Sequence, residues 1–348
     1  MSKCLKLLLN TARSSFEYRI REIDNCVFVI DNINKVVNFM DLSNINKVKH
    51  KSVSTWDFST LYTKIPHDKL KEKLKKFVEK MFCIKKDKNF ICFSKTGKST
   101  YFSINRSKAN LSFSSCELIK WIDFIVDNSY ICYKGEVYRQ AIGIPMGTNS
   151  APFMANLFLH LYEYEYIEHL ISSGEIQAAQ DLSNIYRYQD DCISFNDNGS
   201  FAMHYNKIYP PEMVLDCTNL STSVCTFLDL RISVYRGRFL YKSFDKRKNF
   251  NFEVVKYPNL DGNIPYAPSY GVFISQLVRF CDINQSANNF VSDVKDLTET
   301  FVRQGFDFVR LRDRYFIFCS KYLYRWAKFG TDIASSKVVH KIFPYKIS

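Results

Sequence analysis

Apolar residues recur at helical spacing at Leu70, Leu74, Phe77, Val78 and Met81. This predicts a helix whose other faces carry Lys69, Lys71, Lys73, Lys75 and Lys76, with Pro66 suited to its first turn. Upstream, residues 1–25 carry only a weak pattern. Val27-Phe-Val-Ile30 reads as a strand or a buried helix turn, Val36, Val37, Phe39 and Met40 predict a helix, and Val53–Phe58 reads as a strand. Downstream, residues 83–110 form a Lys-rich hairpin or loop region turning at Gly97, residues 115–128 an amphipathic helix, and residues 130–139 a hairpin turning at Lys134-Gly135. A glycine-containing loop from Ile142 leads into a long helix from Ser150 to about Leu170, capped by Asn149 or Ser150 with Pro152 in its first turn. Ile185–Asn196 and Phe227–Phe244 read as hairpins, the first with Asp190-Asp191 near its turn, the second turning at Arg236-Gly237-Arg238. Past Pro258 the pattern is helical, over 269–282, 286–304 and 307–327. The expected organisation is a first segment 1–50, a mixed α/β body over 51–250 and a helical, basic region over 251–348.

Composition narrows the class. Of 348 residues, 46% are apolar, enough for a sizeable core and too many for a disordered chain. No run of 18 apolar residues exists, so no transmembrane helix and no membrane partner are expected. The 11 cysteines are scattered without CxxC spacing, and the start shows no secretory leader pattern, so they are expected to be reduced intracellular thiols. Zinc-site, P-loop and nucleophile-elbow spacings are all missing.

Charge then points to a partner. The net charge of +13 favours a polyanion. Between Gln140 and Asn206, however, Arg187 stands alone against Glu163, Glu165, Glu168, Glu175, Asp181, Asp190, Asp191 and Asp197. That stretch carries −7 and leaves +20 for the rest. Basic flanks around an acidic centre suit a metal-dependent enzyme acting on nucleic acid. Glu163, Glu165 and Glu168 are expected on a solvated helix face.

Three features carry chemistry. Asp57 ends a strand, Asp190-Asp191 lies at a hairpin turn 133 residues later, and Gly143-Ile-Pro-Met-Gly147 precedes the long helix. Carboxylates converging from the two strands would repel one another unless divalent cations relieved them. Mg²⁺ prefers such hard oxygen ligands and keeps positions open for phosphate and water. Two such ions would serve an in-line displacement by a 3′-hydroxyl.

The order of these motifs resembles a reverse transcriptase palm. Thr55-Trp-Asp-Phe-Ser-Thr-Leu-Tyr-Thr-Lys-Ile-Pro-His-Asp-Lys-Leu70 is similar to the first palm motif of the Penelope-like element reverse transcriptases, the group related to telomerase. Gly143–Phe158 resembles the second motif and Tyr186-Arg-Tyr-Gln-Asp-Asp-Cys-Ile-Ser-Phe195 the third. Phe227–Ile232 and Leu240–Asp245 resemble the segment that grips the primer end, and Ile264-Pro-Tyr and Tyr270–Arg279 the start of the thumb. The resemblance runs from about residue 26 to 330. It implies an α+β right-hand polymerase fold, with an antiparallel palm sheet, packed helices and a helical thumb-like C-terminal lobe. It also implies RNA-directed DNA polymerase activity on an RNA template, a DNA primer and deoxynucleoside triphosphates. Two Mg²⁺ ions, with Mn²⁺ as a substitute, would be held by Asp57 and Asp190 with Asp191 in support. Phe58, Tyr62, Met146 and Gly147 would meet the nucleotide, Tyr62 as the aromatic gate under its sugar. Tyr188, Gln189, Lys242, Arg310 and Arg312 would contact nucleic acid, the two arginines from a thumb run that also holds Arg303, Arg314, Lys321 and Arg325. The implied location is intracellular and nuclear. Family members carry basic fingers motifs upstream of the first palm motif. The 56 residues before Asp57 show none, so the chain is expected to be an N-terminally truncated member. The alternative reading is an inactive remnant that only binds nucleic acid; a different palm enzyme is disfavoured by the Pro-x-Gly loop combined with Tyr-x-Asp-Asp.

Overall fold

The computed structural model describes residues 1–15, 20, 23, 25–107, 110–196, 198–219, 221–252 and 254–344, with Lys248 described in its backbone alone. In chain order come α1 (Ser2–Ser14), α2 (Asn34–Ile45), β1 (Val53–Phe58), α3 (Leu61–Lys64), α4 (His67–Ile84), β2 (Phe90–Phe93), β3 (Thr100–Ser103) and β4 (Ser112–Phe113). Next are α5 (Ser115–Asp127), β5 (Tyr130–Tyr133), β6 (Glu136–Arg139), α6 (Ala151–Ser172), α7 (Ile176–Leu182), β7 (Ile185–Tyr188), β8 (Asp191–Phe195), α8 (Ser200–Ile208) and β9 (Leu215–Cys217). Then follow β10 (Val224–Phe227), β11 (Leu230–Tyr235), β12 (Arg238–Ser243), α9 (Tyr266–Ile283), α10 (Ala287–Arg303), α11 (Phe308–Lys321), α12 (Leu323–Trp326) and α13 (Ser336–Ile342).

The chain forms two compact units, and both are discontinuous. The first comprises residues 1–31 and 54–218, the second residues 32–53 and 219–348.

The first unit is built on a four-stranded sheet of order β7-β8-β1-β9. Strand β1 pairs antiparallel with β9, setting Asp57 opposite Asp216, and β7 pairs antiparallel with β8, setting Tyr188 opposite Asp191. The segment 27–30 runs beside β7 through one parallel bridge, Val29 to Arg187, with Phe28 to Ile30 buried. Helix α4 buries Leu70, Leu74, Phe77, Val78 and Met81, the stripe its spacing predicts. Pro66 stands one step earlier than expected, as the residue preceding the helix. The weakly patterned N-terminus is in fact a helix: α1 buries Cys4, Leu5, Leu8, Leu9 and Ala12, which follow helical spacing closely. Helix α5 starts with a capping box. Ser114 Oγ accepts from the Glu117 amide at 3.3 Å while the Ser114 amide donates to Glu117 Oε2 at 2.9 Å. Helix α6 begins at Ala151, but Ser150 makes no side-chain cap. The β5–β6 turn falls on Lys134 and Gly135, both at positive φ, the geometry that a two-residue hairpin loop demands.

The lysines of α4 are not a free basic face. Lys69 pairs with Glu212 at 2.7 Å and Lys71 with Asp127 at 2.9 Å; Lys73 pairs with Glu165, and Lys80 with Glu168 at 3.7 Å. Glu165 and Glu168 thus keep the solvated position expected of them, but with partners. Glu163 does not: it is fully buried against Arg187. The expectation fails there because α6 is covered on several sides and buries Met154, Leu157, Phe158, Leu161, Tyr164 and Ile167 as well. Asp181 is also structural, accepting from Gln177, Asn198 and Ser200. Asp197 lies outside the described residues.

The second unit packs the sheet β10-β11-β12 with α2 and the C-terminal helices. The Asn44 side chain extends the β12 edge: its Nδ2 donates to the Phe239 carbonyl at 2.9 Å and its Oδ1 accepts from the Phe239 amide at 3.0 Å. Tyr241 donates its hydroxyl to Asp41 at 2.8 Å. Helices α9, α10 and α11 share a core of Tyr270, Phe273, Leu277, Phe290, Phe301, Tyr315 and Phe318. The β11–β12 turn falls on Arg236 and Gly237. Among the described residues no helix is long and apolar enough to cross a membrane.

Candidate active site

Strand β1 sets its carboxylate between two buried aromatic side chains. Trp56 and Phe58 point into the core, where Trp56 meets Phe201 edge-on at 5.4 Å and Phe58 meets Tyr209 at 4.8 Å. Asp57 between them must therefore face the opposite side of the sheet, where it is half-buried. The chain then turns through α3, which leaves Tyr62 half-buried beside the β7–β8 hairpin.

That hairpin closes between Tyr188 and Asp191, so Gln189 and Asp190 form its turn. Gln189 adopts φ 56°, in the left-handed region, where a side chain costs about 1–2 kcal/mol. Two contacts hold the turn there. The Phe58 amide donates to the Asp190 carbonyl at 3.1 Å, which fastens the end of β1 to the turn. From inside, Arg187 Nη1 donates to the Gln189 carbonyl at 3.0 Å.

Arg187 is wholly buried, and every N–H of its guanidinium finds an acceptor. Nε donates to Glu163 Oε1 at 2.6 Å and Nη2 to Glu163 Oε2 at 3.2 Å. Nη1 also donates to Asn156 Oδ1 at 2.8 Å, and Nη2 to the Asn156 carbonyl at 3.1 Å. Tyr209 donates to Glu163 Oε1 at 2.9 Å. Burial opposes the guanidinium charge, but the forked Glu163 carboxylate outweighs it, and the pKa of Arg187 stands above its ordinary value. Burial pushes the neighbouring Cys192 thiol well up, with the Glu163, Asp191 and Asp57 carboxylates adding to it.

The glycine loop is tied to the same place. The Gly143 amide donates to the Ile65 carbonyl and the Ile144 amide to the Tyr62 carbonyl, both at 2.8 Å. His67 Nε2 lies 2.6 Å from the Gly143 carbonyl. Gly143 has φ 78°, and a Cβ there would sit 2.4 Å from the Tyr62 carbonyl oxygen. The Tyr62 hydroxyl in turn lies 3.5 Å from Gln189 Oε1. Burial raises the pKa of that hydroxyl, and the Asp190 carboxylate raises it further.

Of the residues singled out in the sequence, the structure brings Asp57, Phe58, Tyr62, Gln189 and Asp190 together, with Tyr188 and Asp191 as the pair that closes the turn. Met146 and Gly147 lie exposed further along the loop, with open space around Gly147. Lys242, Arg310 and Arg312 belong to the second unit. Lys242 is exposed on β12 opposite Arg231, and Arg310 lies over the Tyr266 ring at 5.2 Å and donates to its hydroxyl at 2.7 Å. Sequence reasoning missed Arg187, Glu163 and Asn156 as site-building residues. For Arg187 a signal existed, since it is the one basic residue in the acidic stretch. Among the described residues no three His, Cys, Asp or Glu side chains group closely enough to hold a metal ion between them.

Sheet, hairpin and helices together define an α+β, reverse-transcriptase-like fold. No family model matches the chain, and no curated protein matches it in sequence. Solved structures do match. One is telomerase from Candida albicans in complex with a TWJ fragment of telomeric RNA, at a TM-score of 0.61 and 12% identity, covering 98% of this chain and 55% of that one. Another is apo telomerase from Candida tropicalis, at a TM-score of 0.50 and 13% identity, covering 98% of this chain and 60% of that one. The chain therefore spans little more than half the length of these telomerases.

Proposed function

We propose that the chain is an RNA-directed DNA polymerase of the Penelope-like kind, which adds deoxynucleotides to a primer 3′-hydroxyl on an RNA template. One observation carries this reading. The hydrogen bond from the Phe58 amide to the Asp190 carbonyl ties the end of the strand that bears Asp57 to the turn that bears Asp190, a residue 133 positions further along the chain. Asp57 and Asp190 would hold Mg²⁺, or Mn²⁺ in its place, with Asp191 in support. The donor set suits that ion, which binds through one or two carboxylates and takes its other oxygens from water and substrate phosphates, so an all-protein cage is not required. Bound there, the metal would supply charge neutralisation at the phosphate and a more acidic hydroxyl.

The chain's own residues do the rest. Tyr62 stays protonated, since burial and Asp190 both hold its pKa up, so it presents a neutral ring and adds no charge against a triphosphate. Its bulk beside the Asp190 turn would exclude a sugar 2′-hydroxyl. The exposed face of β11 and β12, with Arg231, Arg238 and Lys242, offers cations for phosphate contacts. The role implies an intracellular, nuclear site of action.

The test is primer extension on an RNA template with deoxynucleotides and Mg²⁺, comparing the wild-type chain with Asp190→Ala. Extension that the substitution abolishes supports the proposal. Salt-sensitive nucleic-acid binding without extension by either chain would replace it with the binding-only reading.

A further inference from the structure

Resting on that reading of Asp190, we propose that Arg187 is a positioning residue: clamped by Glu163 and Asn156, it grips the Gln189 carbonyl and so fixes the turn from which Asp190 projects. Three observations carry the proposal. The first is that the guanidinium is fully buried and fully bonded, so it has one available geometry. A forked, bidentate contact to Glu163 sets the plane of the guanidinium, and Asn156 sets its position along α6.

The second is that the gripped carbonyl belongs to Gln189, the residue in the left-handed conformation. A turn with a glycine there would hold this shape unaided, whereas glutamine needs an outside contact to stay in it. The third is the charge balance. Glu163 is as buried as Arg187 and lies at 2.6 Å, so the pair is close to neutral as seen from outside. The clamp therefore acts on geometry, and its charge is not what stabilises the aspartates. A lysine would keep the charge against Glu163 but, as a point donor, cannot span Glu163, Asn156 and the Gln189 carbonyl at once.

The Phe58 amide provides a readout independent of catalysis, because the Asp190 carbonyl is its acceptor. The experiment compares wild type, Arg187→Lys, Asn156→Ala, Gln189→Gly and the double variant Arg187→Lys/Gln189→Gly. Hydrogen exchange is followed at Phe58 and at the α4 amides. Primer extension and primer–template binding are measured on the same proteins. With Arg187→Lys, Phe58 should lose protection while α4 keeps it. Turnover should fall by about 100-fold, the cost of an ångström-scale misplacement, with primer–template affinity little changed. Asn156→Ala should shift both in the same direction by less, and it serves as the variant to read if Arg187→Lys does not fold. Adding Gln189→Gly to Arg187→Lys should restore Phe58 protection and part of the turnover. Unchanged Phe58 exchange in a folded Arg187→Lys, or a double variant no better ordered than the single one, overturns the clamp. If no protein shows extension, the function proposed above fails, while the exchange data still decide whether Arg187 holds the turn.

Discussion

Gly143 is the position where the sterics of the site leave least freedom, and Gly143→Ala puts that to the test. The added methyl would lie 2.4 Å from the Tyr62 carbonyl oxygen and 2.9 Å from the Thr63 carbonyl carbon and oxygen. All three atoms are backbone, so no side chain can swing aside. Reaching even 3.0 Å needs a shift of about 0.6 Å, and Gly143 and Ile144 are both tied to that backbone by 2.8 Å bonds. The left-handed conformation costs alanine about 1–2 kcal/mol, and each lost backbone bond about 1 kcal/mol net. The total is about 3–4 kcal/mol, a large part of the 5–15 kcal/mol that keeps a typical domain folded. Loosening the loop locally would relieve it more cheaply than unfolding the unit. Hydrogen exchange read by mass spectrometry should therefore show the Gly143 and Ile144 amides deprotected, with α4 amides unaffected or moderately faster. Gly147→Ala is the matched comparison: nothing lies within 4 Å of its Cβ and its φ is not positive, so its effect on stability should stay within about 0.5 kcal/mol. Full protection of both amides in Gly143→Ala, at an unchanged unfolding midpoint, would refute the argument that the loop is sterically locked to the turn after β1.

Other predictions follow from the buried charges and caps. Arg187→Met should cost about 3–5 kcal/mol, because it strands the Glu163 carboxylate, whereas Arg187→Met/Glu163→Leu should cost clearly less; urea unfolding of singles and double measures the difference. Burial holds the His160 pKa at about 3, below its unfolded value. Acid then protonates the unfolded chain first, so stability is full above about pH 6.5 and falls as the pH drops toward 3. Between pH 7 and 4.5 this residue alone should account for about 2–3 kcal/mol, and a His160→Gln chain should show a correspondingly flatter stability–pH curve. Ser114→Ala removes the α5 capping box and should lower the stability of the first unit by about 1 kcal/mol in the same unfolding assay. If the proposed activity holds, Tyr62→Val should raise ribonucleotide incorporation relative to deoxynucleotide in primer extension, and equal discrimination by both chains would remove Tyr62 from that role.

What could be read from the sequence was whatever a local pattern specifies. Leu70 to Met81 declare a helix because one face repeats every turn. Lys134-Gly135 and Arg236-Gly237 declare hairpins because the turns need positive φ at both residues. Asp57, Asp190 and Gly143 were visible as members of motifs, each on its own element. Helix α1 was legible in principle, since Cys4, Leu5, Leu8, Leu9 and Ala12 follow the helical period, but Lys6 and Asn10 between them dilute the signal. Helix α6 shows the opposite difficulty. Apolar on most sides, it offers no stripe, so Glu163 looked like Glu165 and Glu168, its neighbours in the chain.

The hidden part of the site is the part made by pairing across the chain. That Glu163 is buried follows from Arg187 reaching it, and that Arg187 is buried follows from β7 lying under α6; neither residue alone announces this. The same holds for charge. The acidic stretch reads as a place for cations, yet Glu163 is spent on Arg187, Glu165 and Glu168 on α4 lysines, and Asp181 on the side chains of Gln177, Asn198 and Ser200. Asp190 sits at a turn whose shape glutamine would not adopt unaided. A buried ion pair of this kind is a poor source of stability. Its retention beneath that turn is more economically explained by the geometry it imposes on the Gln189 carbonyl than by any energy it adds to the fold.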